Sequence, residues 1–356
     1  MLLPIINDTH VDLRNGSEAY MSHLKRFFAE IFFPYCDKHQ IKQVVHLGDY
    51  FDNRRGVNVR ALHNARKNIL EPMTERGISM IIIPGNHDVY HKNTNAVSSL
   101  REMFGYYIEN VKIVERPTVL EIDGLSIGLL PWISEANYVE SIEFISKCSA
   151  PILMSHLELS GFEMMKGQPS ATHGMDPSLF KRFEMVLSGH YHTKSTRGNI
   201  YYLGTQLEQT WADCDDPKYF HVLDTATREL TAVRNPLTLY SRIIYDDSKS
   251  DPIDLISADV IKDKFVKVVV VKRTNVKTFE KFIQRIQDMG PLEQPKIIES
   301  FDEFAGTQVE DESIDLEDTS KLLHSYIDSV ETDLDKERLK DMVQELYVEA
   351  QSGETQ

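Results

Sequence analysis

The chain of 356 residues has only three cysteines, Cys36, Cys148 and Cys214, odd in number and in no C-x-x-C pair. That excludes a disulfide framework and a thiolate metal site, and it fits a reducing compartment. No apolar run approaches the roughly 20 residues that a spanning helix needs, and the opening MLLPIINDTH has no basic segment ahead of an apolar core. Neither a membrane span nor a secretory leader is therefore expected, and the expected location is cytoplasmic. Positive charge is also scarce: the formal net charge is -16, which taken alone argues against a polyanionic partner. What the chain does have is 41% apolar residues, at a length that exceeds one ordinary core, so two domains or one domain with appendages are expected.

The negative charge is unevenly placed. Residues 300–356 hold seventeen acids and four bases, so -13 belongs to the tail and -3 to the first 299 residues. Within those, residues 260–285 carry eight bases, among them Lys262, Lys264, Lys267, Lys272 and Arg273, against Asp263 and Glu280. The order is a near-neutral body, a basic stretch and an acidic tail.

Up to about residue 230, short apolar runs alternate with helical patterns. VVHL before Gly48, MIII before Pro84, ILM before Ser155 and MVLS before Gly189 read as buried strands. MSHLKRFFAEIFFPYC and VNVRALHNARKNILEPMTERG place apolar residues at helical spacing. The alternation predicts an α/β sandwich over residues 1–230. Pro4 cannot donate to a ladder, so the first strand is expected to begin at or after it. Residues 231–299, with FVKVVVVKR as strand and VKTFEKFIQRIQDMG as helix, read as a small α+β unit. Residues 300–318 contain eight acids and no base and read as a solvated linker. Over 319–352, Leu323, Tyr326, Ile327 and Val330, and then Leu339, Met342, Val343, Leu346, Tyr347 and Ala350, mark two amphipathic helices.

Five motifs follow the apolar runs: Asp8-Thr9-His10, Gly48-Asp49-Tyr50-Phe51-Asp52, Gly85-Asn86-His87-Asp88, Ser155-His156 and Gly189-His190-Tyr191-His192. Residues just past the ends of neighbouring strands converge on one rim, so these groups are expected around one point. Their oxygen and nitrogen donors suit a divalent ion of the Mn, Fe or Zn type better than Ca. One ion would use too few of them. Two ions about 3.5–4 Å apart need a bridging carboxylate, and such a pair activates water and clamps an in-line displacement at phosphorus. Asp49 is the bridging candidate, with Asp8, His10 and His192 on the first ion and Asn86, His156 and His190 on the second. His87 is then free to act on substrate. The other histidines, His46 among them, are read as ordinary.

In this order the motifs resemble the calcineurin-like metallophosphoesterase superfamily. Leu130-Pro131-Trp132, FEMVLSGHYH and Tyr202-Leu203-Gly204-Thr205 are further similar to the SbcD-type recombination and repair nucleases, T-even-like phage members included, down to a C-terminal LYVEA. The resemblance implies a four-layer α/β/β/α core, a small capping domain that positions DNA, and C-terminal helices that bind an SMC-like ATPase of the SbcC type. It implies a homodimeric, Mn²⁺-dependent DNA nuclease, with Mg²⁺, Fe²⁺ or Zn²⁺ as alternative ions, acting from 3′ ends and within single strands in a host cytoplasm if phage-encoded. It also implies that His87 protonates or stabilises the leaving oxygen and that Asp88 orients the His87 ring. Many members have His where this chain has Asp52, which is expected to hydrogen-bond a metal ligand instead. Lys262, Lys264, Lys267, Lys272 and Arg273 are candidates for DNA-backbone contact, weighed equally against a solvated face. Two other readings are a metallophosphatase or cyclic-nucleotide phosphodiesterase, which would need little chain after G-H-x-H, and a catalytically silent adaptor for an ATPase.

Overall fold

Strands buried on both faces read as continuous apolar runs, and the runs of this chain build two six-stranded sheets. We describe them from a computed structural model covering residues 1–105, 109–163, 174–248 and 256–299, with 336, 338 and 339. The first sheet runs, edge to edge, Leu230–Asn235, Lys218–Asp224, Leu2–Ile6, Gln43–His46, Ser79–Ile82, Val111–Ile113. The second runs Ser195–Arg197, Ile200–Tyr202, Met185–Gly189, Ile152–His156, Leu125–Leu130, Thr118–Ile122. Pairing is parallel from Leu2–Ile6 to Val111–Ile113 in the first sheet and from Ile200–Tyr202 to Leu125–Leu130 in the second. The C-terminal ends of the motif-bearing strands therefore share an edge within each sheet.

Alternate residues of each strand enter different cores. Val44, Met80 and Ile82 pack on Phe27, Phe28 and Phe32, whereas Val45, Ile81, Leu3 and Ile5 face inward against Ile127, Ile152, Met154 and Leu187 of the second sheet. On the far side, Leu153, Val186 and Ile200 meet Ile145 of the helix Tyr138–Lys147. The layers are thus α/β/β/α, as the resemblance implies.

Both predicted helices over the first sheet form, each with a wide π-helical stretch in the middle, Phe27–Phe32 and Arg66–Leu70. Pro34 and Pro72 follow shortly after these stretches. A proline ring inside a helix clashes with the carbonyl four residues earlier, and the wider turn relieves that clash without ending the helix. Pro4 departs from expectation by lying inside Leu2–Ile6, opposite Val222. The strand accepts it because parallel pairing with Gln43–His46 begins only at Ile5.

The first sheet continues to Asn235, and a third, parallel sheet of Tyr240–Asp246, Phe265–Lys272 and Lys296–Glu299 follows. The helix Val276–Asp288, capped by the Asn275 side chain on the Thr278 amide, packs Phe279, Phe282 and Ile286 against it. Contacts group Met1–Ala305 into one compact unit and Gly306–Gln356 into a second. The expected linker and tail helices fall outside the described residues, apart from 336, 338 and 339. No helix among the described residues is long and apolar enough to cross a membrane.

The junction to the third sheet rests on Glu208, whose Oε2 accepts from the Leu239 and Tyr240 amides at 2.6 and 2.9 Å. Burial pushes this carboxyl up to about 7 against those hydrogen bonds. A group raised above its unfolded value makes the folded state bind more protons than the unfolded one, so its contribution is present below about 4.3 and lost as pH rises toward 7. Glu208→Gln keeps an oxygen for both amides and cannot ionise. Urea unfolding at pH 5 and 7.5 is expected to show the wild type losing on the order of 2–3 kcal/mol more than the variant across that interval. Parallel pH profiles would contradict this.

Candidate metal centre

Every motif but Ser155-His156, which ends the strand Ile152–His156, bends sharply away from its strand. Asp8, His10, Asp49 and His190 all have positive φ, at 48°, 39°, 54° and 89°, a backbone region rarely used by such side chains. At the second and third turns the approach is so close that a Cβ on Gly85 would strike the Asp49 carboxylate and amide. Glycine is the residue that permits this.

These turns bring the predicted ligands into two groups. The donor atoms of Asp8, His10 and His192 lie within 4.8 Å of one another, and so do those of Asp49, His156 and His190. Asp49 stands between them. Its Oδ1 accepts from the His87 amide at 2.8 Å, while Oδ2 lies 3.2 Å from His156 Nε2 and 3.9 Å from His10 Nε2. One oxygen is fixed to backbone and the other faces both groups, as a bridging ligand requires. Asp8 is held by Asn7 Nδ2 at 2.5 Å and by the His190 amide at 3.1 Å.

The donors fit divalent cations on a direct test. His156 Nδ1 is 2.7 Å from the Leu47 carbonyl and must carry a proton there. Its Nε2 lone pair then points at Asn86 Oδ1, 2.9 Å away, which also lies 2.9 Å from His190 Nδ1. Converging lone pairs repel unless a proton or a cation sits among them. Without a cation the protons stay: burial lowers His156, but Asp49, Asp8 and the Leu47 carbonyl outweigh it and push the ring up to about 9. Burial likewise opposes His10, yet Asp52, Asp49 and Asp8 push it up to about 10. The Asn86 amide also has a cation-free alternative, turned over so that its nitrogen donates to His156, His190 and Asp49 and its oxygen accepts from Arg54. Among the described residues, buried His10 Nε2, His190 Nε2 and His192 Nδ1 meet no hydrogen-bond partner.

His87 is half-buried at the rim, its Nδ1 2.6 Å from the Asp52 carbonyl and its ring edge-on to His10 at 5.0 Å. Nε2 is thereby left for a substrate. Asp52 Oδ1 lies 3.2 Å from His10 Nδ1, beside a candidate ligand. The expectation for Asp88 is corrected: its buried carboxylate accepts from the Tyr50, Phe51 and Gly85 amides rather than touching the His87 ring. It ties the second turn to the third, and burial with the Asp49 charge pushes it up to about 7.

Three functional residues lie outside the roles that the motifs suggest. His46, ordinary by its place in the sequence, is fully buried and joins Thr9 Oγ1 at 2.9 Å to the Gly48 amide at 3.2 Å, holding the first two turns together. Buried Lys218 donates to the His192 carbonyl at 3.1 Å and is neutralised by Asp213 and Asp216. Arg54 stands beside Asn86, its Nη2 3.2 Å from the outer end of that amide. Among the basic candidates, Lys267 Nζ sits 4.1 Å over the Trp211 ring and Arg273 pairs with Glu299 at 3.1 Å. Lys262 and Lys264 line a 550 Å³ cleft against Ser22, His23 and Arg26 of the helix Glu18–Arg26, and Lys272 is exposed at a strand end.

Comparison with known proteins gives the family. The calcineurin-like phosphoesterase model matches residues 2–194, which include all seven candidate ligands. Exonuclease subunit 1 of Enterobacteria phage T4 is 31% identical over 320 residues, 89% of this chain and 90% of that protein. A solved archaeal phosphodiesterase is similar over 66% of this chain and 100% of its own, at 13% identity and a TM-score of 0.35. Phosphoesterases of the matched family use two divalent metals, for which the two groups around Asp49 offer places. The chain belongs to the calcineurin-like phosphoesterase family and is a metal-dependent phosphodiesterase.

Proposed function

We propose that the chain is a DNA nuclease that removes nucleotides from 3′ ends and cuts single strands internally, with Mn²⁺ as its cation. The observation that carries this reading is the reach of the similarity to an exonuclease subunit, which covers 89% of the chain and so extends well past the phosphoesterase match that ends at residue 194. A phosphatase needs little beyond that point. Two divalent cations, when bound, supply an activated water and neutralise charge at the scissile phosphate. The chain's own part is to hold that phosphate in place. Asp8, His10, Asp49 and His192 would hold one cation, and Asp49, Asn86, His156 and His190 the other. Asp52 fixes His10 through its carboxylate and His87 through its carbonyl, and His87 Nε2 delivers a proton to the departing 3′ oxygen.

In this reading the division is a nuclease domain over 1–230, a capping unit that positions DNA over 231–299, an acidic linker over 300–318 and an ATPase-binding helical region over 319–352. The working assembly is a homodimer with an SMC-like ATPase, in the host cytoplasm. With -13 in the tail and -3 in the body, the isolated chain is expected to hold DNA weakly and with strong salt dependence, the partner supplying most of the grip. The test is hydrolysis of end-labelled single- and double-stranded DNA with Mn²⁺, with chelator, and with and without the ATPase. Chelator-sensitive shortening from the 3′ end is expected. Turnover of a small phosphomonoester with DNA left intact would overturn the reading.

A further inference from the structure

His10 presents a ring nitrogen to each of two neighbourhoods. Nε2 faces Asp49 Oδ2 at 3.9 Å, toward the cation groups, while Nδ1 lies 3.2 Å from Asp52 Oδ1. His87 closes the second neighbourhood, its ring edge-on to that of His10 with centroids 5.0 Å apart. One nitrogen of His10, one of His87 and an Asp52 oxygen all lie within 4.8 Å of one another. This trio shares His10 with the group of Asp8 and His192, and no residue with that of Asp49, His156 and His190. The Asp52 backbone anchors it: the amide donates to Asp12 Oδ1 at 2.6 Å, and the carbonyl accepts from His87 Nδ1 at 2.6 Å. His10 is buried, whereas the Asp52 side chain is 28% exposed and His87 is half-buried, so the trio has a solvent-facing side.

Two imidazoles and one carboxylate with an open side suit zinc. Ligand atoms about 2.0–2.2 Å from a tetrahedral ion stand about 3.4 Å apart, and His10 Nδ1 and Asp52 Oδ1 already meet that spacing at 3.2 Å. The half-buried His87 ring offers a third ligand and solvent a fourth. Imidazole suits zinc, whereas manganese takes mainly oxygen ligands in octahedral geometry and binds a given nitrogen site less tightly. From this geometry we propose that His10, Asp52 and His87 form a third cation site, inhibitory and selective for Zn²⁺ over Mn²⁺. The proposal rests on the reading of the site given above and deepens it, since a zinc ion on His87 removes the group that serves the departing oxygen. His10 then bridges, with Nε2 on the first cation and Nδ1 on the zinc, and its N–H proton passes to solvent, because a cation binds only the deprotonated ligand. The consequence is control by metal supply: the chain works with manganese and is shut off as zinc rises.

The test titrates Zn²⁺ into the full chain held in saturating Mn²⁺ and reads two quantities. One is the number of cations bound per chain, by equilibrium dialysis with elemental analysis; the other is hydrolysis of DNA and of glycerophosphocholine, a small phosphodiester with an alcohol leaving group. The expected result is a third equivalent, zinc, above the first two, with both hydrolyses falling by about 10²-fold or more as it binds, the usual worth of a positioned general acid. Asp52→Ala and His87→Ala are each expected to take up no third equivalent, which metal content shows whatever their activity. In Asp52→Ala the zinc concentration that halves the variant's own hydrolysis should rise roughly 10-fold or more, since even the partners that orient a ligand are worth about 10–100-fold in affinity. Zinc replacing manganese one for one with the total unchanged, or Asp52→Ala inhibited at the wild-type zinc concentration, would overturn the site. A third equivalent bound without loss of hydrolysis would overturn the inhibition and count against His87 as the acid. Intact DNA beside zinc-inhibited hydrolysis of glycerophosphocholine would overturn the nuclease reading and support the site.

Discussion

Asp49→Ala is expected to empty both cation positions at once and to lower hydrolysis by roughly 10³-fold or more, since each metal contributes several kcal/mol to a reaction of this class. The geometry makes the effect double. Oδ2 faces His156 at 3.2 Å and His10 at 3.9 Å, one residue from each group. Because Oδ1 also holds the His87 amide, Asp49→Asn is the control: it keeps an oxygen for that amide and loses the charge. Metal analysis after exhaustive dialysis checks the claim. Retention of one full equivalent of metal by the alanine variant would show that Asp49 does not bridge.

His87→Ala is expected to lower cleavage by about 10²–10⁴-fold, the usual worth of a positioned general acid, with metal content unchanged. The substitution removes the ring and leaves the backbone N–H that supports Asp49. Burial of the ring is only partial, so no large cavity forms. The two variants therefore separate: one loses cations and activity together, the other loses activity alone. Undiminished cleavage by His87→Ala, or loss of its metal, would remove His87 from the role assigned to it.

Much of this site is legible in the sequence because its ligands occupy the ends of strands that are apolar on both faces. Val44 and Val45 enter different cores, so their run is unbroken and its end at Gly48-Asp49 is conspicuous. The residues that keep the turns in place are less visible. His46 and Lys218 reach the site through partners far along the chain, Thr9 and His192, and a buried polar contact of that kind has no local pattern. Asp88 sits next to His87 in sequence, which suggests a contact with its ring, but the turn directs its carboxylate to three backbone amides instead. Lys267 is a solvated base by composition alone, and only the fold sets it over Trp211. The wide turns ahead of Pro34 and Pro72 are likewise hidden, since apolar spacing marks a helix without marking where it widens.

The shared-ligand arrangement is tested most directly by anomalous diffraction at the manganese edge from crystals equilibrated with Mn²⁺. The account predicts two peaks about 3.5–4 Å apart, one among Asp8, His10 and His192, the other among Asn86, His156 and His190, with Asp49 between them. A single peak, or a pair that leaves Asp49 uncoordinated, would contradict it.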